Sequence, residues 1–194
     1  SIGAGTGTVA FGWKAGIGTA SRRLPPRYGG HTLGVLVQSN YGGVLTMGGV
    51  PVGRALGRHA FMPEGAAGRT GPARTDESGD GSCMIVVATD APLDARDLER
   101  LAARAIYALA RTGSTYSNGS GDFAIAFSTA TGNRVTAANG PQPRAFLHTD
   151  AVSGLFEAVM DATEEAVYNS LFKATDMTSN GRSVRALPLD AVKR

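Results

Sequence analysis

Cysteine is nearly absent from these 194 residues: Cys83 is the single one, so a disulfide within the chain is excluded. It falls in an apolar run, where a thiol reads as a small core side chain rather than a nucleophile. The three histidines, His31, His59 and His148, stand far apart and lack metal-ligand spacing with Cys83 or each other, so neither a metal nor another cofactor is expected. Lysine is as scarce, with Lys14, Lys173 and Lys193 alone among 19 basic residues against 16 acidic ones. The resulting net charge of +3 is spread without a run of five or six like charges, so no nucleic-acid partner is expected. No apolar stretch approaches the roughly 18 residues that a membrane-spanning helix needs, and no membrane partner is expected.

Glycine, by contrast, is abundant at 27 residues, clustered and without a fixed period, which excludes collagen and points to tight turns and close backbone approaches. The length suits one domain, with a long loop or insertion at about 54–82 where Gly, Pro and scattered charge replace periodicity. Alternation predicts a strand over Thr8–Lys14, with Val9, Phe11 and Trp13 on one face. Further strands are expected at Ile17–Ser21, His31–Gln38 and Gly43–Met47. The nearly continuous apolar run Cys83–Thr89 reads as a strand covered on both faces. Asp94 offers an N-cap to a helix whose Leu98, Leu101, Ala102, Ala105 and Leu109 recur at steps of three and four. A strand at Phe123–Ser128 and a helix over about Asp150–Lys173 follow, the latter with Val152, Leu155, Phe156, Val159, Ala166 and Leu171 as its buried stripe. Strands first, then strand, helix, strand, helix, fit an α+β layered fold better than a regularly alternating one.

Familiar site motifs fail. Gly3-Ala4-Gly5-Thr6-Gly7 has the wrong spacing for a dinucleotide loop, no phosphate-binding G-x-x-x-x-G-K-[ST] occurs, and Gly119-Ser120-Gly121 is too tight for a nucleophile elbow. What remains is Ser1 and two polar, glycine-punctuated loops, Gln38 to Gly43 and Gly113 to Asp122. Removal of an initiator Met is one expected reading of a first residue other than Met. A small hydroxyl-bearing first residue is also what an N-terminal nucleophile needs, because its own α-amine, with an ordinary pKa of about 7.7 to 8.0, can act as the general base. Either loop, taken alone, reads as a turn.

Several long segments together resemble the β-subunit of the DmpA family, which contains the L-aminopeptidase D-esterase/amidases and the β-peptidyl aminopeptidases. They are Ser1–Gly7, Lys14–Arg22, Gly34–Gly42, Gly49–Gly53, Val86–Leu93, Ala110–Ser114, Ser117–Asp122 and Ala162–Ala166. The resemblance covers most of the chain to about residue 190, excepting the loop after Arg54.

The resemblance implies an N-terminal-nucleophile hydrolase made by self-cleavage before Ser1. It implies an α/β/β/α sandwich of the DmpA and ornithine acetyltransferase type, completed by a separate α-chain from the same precursor and assembled as four αβ pairs, an (αβ)4 hetero-octamer. Its substrate would be a short peptide, amide or ester, with a leaning towards release of β-amino acids. Ser1 is expected to be catalytic, supported by Ser39 and Asn40. Ser114, Ser117 and Asn118 are expected either to line the pocket or to connect helix and strand. In β-peptide-cleaving members a glutamate near the supporting serine is implied as well, but Asn40, Tyr41, Gly42 and Gly43 supply no acid. Rival readings are an aminopeptidase and esterase on α-amino acids, an acyltransferase of the ornithine acetyltransferase type, in which a Thr nucleophile is usual, and a non-catalytic assembly subunit. Cytoplasm and periplasm both stay open, since a signal peptide would lie on the α-chain.

Overall fold

The structure is a computed structural model that describes residues 2–62, 81–137 and 140–193. Ser1 and residues 63–80, the greater part of the expected long loop, lie outside the described residues. A 3-10 turn at Gly3–Gly5 opens the chain, followed by the short hairpin β1 (Val9–Ala10) and β2 (Trp13–Lys14). Strands β3 (Ile17–Arg23), β4 (Thr32–Gln38), β5 (Met84–Thr89) and β6 (Phe123–Ser128) form the main sheet in that spatial order. The first three run antiparallel and β6 joins β5 in parallel, so the sheet is mixed. A one-turn helix α1 (Val52–Ala55) lies between β4 and β5, α2 (Ala95–Arg111) links β5 to β6, and α3 (Ser153–Phe172) follows. The chain closes with a small hairpin, β7 (Met177–Ser179) and β8 (Arg182–Val184), and the turn α4 (Leu189–Val192).

Both long helices pack on one face of the sheet. Asp94 caps α2 as expected, its carboxylate accepting the Asp97 N–H at 2.8 Å, and Leu101, Ala105 and Leu109 are fully buried beneath it. Leu155, Val159, Ala162, Ala166 and Val167 of α3 are likewise at 0% exposure. They meet Leu33, Val35 and Val37 of β4 and Ile85 and Val87 of β5 in one core. At Gly18 the helix sits directly on strand backbone: an added Cβ would lie 1.9 Å from the Ala166 carbonyl oxygen, so only glycine allows this approach. The chain thus supplies one helical layer and one sheet of an α+β fold.

Two expected strands are corrected. Thr8–Lys14 is a hairpin, because Phe11 (φ 52°) and Gly12 (φ 83°) turn the chain back at its middle. Gly43–Met47 forms only isolated bridges, Gly43 to Ser114 and Met47 to Val50; its hydrogen bonds run to the C-terminus of α2, with Val44 N–H on Gly113 O and Thr46 N–H on Thr112 O. Phe156, expected in the buried stripe, is half-buried under Arg104, whose guanidinium lies 3.6 Å from the ring centre.

Candidate active site

The end of β4 is tied to the N-terminal segment by four hydrogen bonds. Gln38 Nε2 donates to Ala4 O at 3.4 Å and Ser39 N–H to Gly16 O at 3.1 Å. In return Val9 N–H donates to Asn40 Oδ1 at 3.1 Å and Phe11 N–H to Tyr41 O at 2.8 Å. Ser39 and Asn40 are thereby held against the stretch that follows residue 1. Ser1 itself lies outside the described residues.

Ser39 is fully buried, and its hydroxyl accepts from Ser170 Oγ at 2.8 Å. Ser170, on the last turn of α3, also reaches Val167 O at 2.7 Å, so one proton serves two acceptors. The Ser39 hydroxyl proton is used in neither contact. Asn40 spends its side-chain carbonyl on Val9, which leaves its amide as a donor. Two residues beyond Ser39 stands Tyr41, 3% exposed, whose hydroxyl is 2.9 Å from Thr112 Oγ1 and whose ring packs edge-on against Phe11 at 5.0 Å. Burial pushes the Tyr41 phenol well above its ordinary range, with the Cys83 thiol adding to the effect, so it is a neutral strut. Cys83 is fully buried, and burial pushes its thiol up too, which removes it as a nucleophile.

Ser170 went unnoticed in the sequence because serine in a helix interior carries no motif. A signal did exist: Ala162, Ala166 and Ser170 recur at steps of four along a stripe that is otherwise apolar and buried.

The loop with Ser114, Ser117 and Asn118 is a connection built around its own turns. Ser114 Oγ accepts the Tyr116 N–H at 3.2 Å, Ser117 O accepts the Ser120 N–H at 2.8 Å, and Asn118 is exposed. Asp122 ends it by accepting the Cys83 N–H at 3.1 Å, and Gly43 pairs with Ser114. The loop is thus anchored to residues 42–44 and 81–83, and Gly81, which accepts the Gly121 N–H, packs directly on the Asn40 carbonyl. Among the described residues no three His, Cys, Asp or Glu side chains converge to hold a metal ion, and no helix is long and apolar enough to cross a membrane.

Known proteins carry the same frame. A solved structure, the PH0078 protein from Pyrococcus horikoshii OT3, superposes with a TM-score of 0.82 at 41% identity, over 98% of this chain and 49% of that one. The L-aminopeptidase D-Ala-esterase/amidase from Ochrobactrum anthropi, described as a prototype of the serine aminopeptidases and a variant of the Ntn hydrolase fold, superposes at 0.79 with 34% identity, over 98% of this chain and 50% of that one. A curated relative, the β-peptidyl aminopeptidase BapA of Sphingosinicella microcystinivorans, is 40% identical over 193 residues, 97% of this chain and 48% of its own length. The chain therefore spans about half the length of the relatives it matches. The sequence pattern of peptidase family S58 matches residues 1–184, nearly the whole chain, and the chain belongs to that family.

Proposed function

We propose that this chain is the nucleophile-bearing half of a serine aminopeptidase of the N-terminal-nucleophile type, released by self-cleavage before Ser1. The observation that carries the reading is the convergence of Ser39 and Asn40 on the segment behind residue 1, in a chain of family S58. Ser1 Oγ attacks the scissile carbonyl while the Ser1 α-amine accepts its proton. The tetrahedral intermediate collapses, that proton passes to the leaving amine, and an ester joins the acyl group to Ser1. Water then attacks the ester carbonyl as the α-amine takes its proton, the bond from the acyl carbon to Ser1 Oγ breaks, the amine returns the proton to Oγ, and the acid leaves. The reading assigns the Asn40 amide as a donor for the oxyanion and Ser39 as a partner of the Ser1 amine; the Asn40–Val9 and Ser170–Ser39 hydrogen bonds support it. Ser170 takes the supporting place that an acid near Ser39 would otherwise fill. Ser114, Ser117 and Asn118 are assigned to the outer wall.

The other half of the protein is proposed as the α-chain partner, its own sheet covering the open face of this one to complete an α/β/β/α sandwich. Supporting this are the exposed Ile17, Leu36, Met84, Phe123, Ile125 and Phe127 on that face, and relatives about twice as long as this chain. Four such αβ pairs form the proposed assembly.

Ser1→Ala in the full-length gene is expected to give an uncut, inactive precursor, read on a denaturing gel and by hydrolysis of a p-nitroanilide. Maturation into two chains with turnover would end the nucleophile assignment. The substrate class is proposed as short peptides with a free amino end, β-amino acids first, in line with the β-peptidyl relative. Paired p-nitroanilides of β-alanine and L-alanine separate the classes by kcat/KM; a strong preference for L-alanine would overturn the β-preference and leave Ser1 in place.

A further inference from the structure

A nucleophile at a chain end is tethered through the chain on one side alone. Here that tether has little side-chain anchorage: Ile2 is 83% exposed, Gly3 and Ala4 are exposed, and Gly5 is the first buried residue among those described. Gly5 is wedged where a Cβ would lie 2.9 Å from Ile17 N, and its carbonyl is the acceptor on which two side chains meet. Thr8 Oγ1 donates to it at 3.0 Å and Lys14 Nζ at 3.1 Å.

Lys14 is 1% exposed, the bulkiest of the fully buried side chains. Its ammonium also donates to Thr8 O at 3.1 Å and to Ala15 O. Three N–H groups thus meet three carbonyls, from the terminal turn, the start of the β1–β2 hairpin and the bend into β3. Burial lowers the Lys14 pKa, whereas three carbonyl dipoles favour the charged form, and a neutral amine would leave one of them without a donor. Methionine would fill the same space and satisfy none of them. No chemistry assigned above uses this group.

We propose that Lys14 is a positioning residue for the nucleophile: its ammonium locks the turn at Gly5, and through it residue 1, onto the strands that carry Ser39 and Asn40. The proposal rests on the Ser1 reading. Without the lock the terminal peptide still reaches the pocket but samples many positions, so the loss falls on the chemical step and not on substrate binding.

The test uses the assembled two-chain enzyme, with this chain expressed from Ser1 beside the other half so that self-cleavage is not required. Lys14→Met is expected to lower kcat about a hundredfold with KM within about twofold, the size of effect that an ångström of misplacement produces. An assembled Lys14→Met enzyme whose kcat stays within about threefold of the parent overturns the proposal. Where Lys14→Met fails to assemble, Thr8→Val decides. It removes one bond to Gly5 O and no charge; a drop in kcat of at least about threefold at unchanged KM and unchanged Tm supports the lock, and an unchanged kcat overturns it. Ser1→Ala, run beside them, separates the two claims. An active Ser1→Ala enzyme sinks the nucleophile reading, whereas an inactive one beside a fully active Lys14→Met enzyme sinks the lock alone.

Discussion

On the face of the main sheet that meets the helices, Val35, Val37, Ile85 and Val87 are at most 3% exposed; on the opposite face Phe123, Ile125 and Phe127 are 62%, 61% and 44% exposed. The two faces alternate along the same strands and use the same kinds of residue, and in the register Val86 lies between Leu36 and Ile125 as Ile85 lies between Val37 and Ala124. The difference lies in what covers them. Two helices from this chain close one face, and nothing among its described residues closes the other. Similar patterning with opposite surroundings is what the proposed partner sheet accounts for.

Breaking the closed face should cost most. Val87→Asp puts a carboxylate where exposure is 0%, against apolar side chains, and is expected to destabilise the chain by more than about 4 kcal/mol, enough to abolish soluble expression. A normal denaturation midpoint for this variant would break the comparison.

A smaller effect belongs to the rim of that face. Arg22 on β3 pairs with Glu165 on α3 at 2.5 Å, but both side chains are substantially exposed, so Arg22→Ala should cost at most about 1 kcal/mol in urea unfolding. A larger loss would mean that the ion pair, rather than apolar packing, seats α3 on the sheet.

Least of all, for the chain's own stability, is Ile125→Asp on the open face. It is expected to shift unfolding by about 0.5 kcal/mol or less, as an exposed substitution does, while removing co-purification with the other half of the protein. Retained association would show that another surface carries the partner; lost stability would show that the open face supports itself.

The parts of this fold that depend on local chemistry were readable from the sequence. Asp94 and the spacing of Leu101, Ala105 and Leu109 announced α2, and the apolar run before Asp90 announced β5. The errors share a cause. Alternation over Thr8–Lys14 is compatible with a strand and with a hairpin, and the choice turns on Phe11 at φ 52°, a conformation that no propensity assigns to phenylalanine. Gly43–Met47 has a strand's composition, but its backbone partners are the carbonyls at the end of α2, set by tertiary packing. The site divides in the same way. Ser39 and Asn40 were singled out by the family resemblance, while Ser170 and Lys14 were not, because one lies inside a helix and the other at what alternation takes for an outward position. Their partners are a distant hydroxyl and backbone oxygens, which leave no periodic trace.

The seat of α3 on Gly18 has a mechanical meaning. Where backbone rests on backbone, with no room for a methyl group, there is no side chain to rotate or yield, and β3 and the C-terminal half of α3 move as one piece. Ser170 rides on that piece one turn after Ala166. The position of the hydroxyl that faces Ser39 is therefore set against β3 by main-chain contact and not by a rotamer.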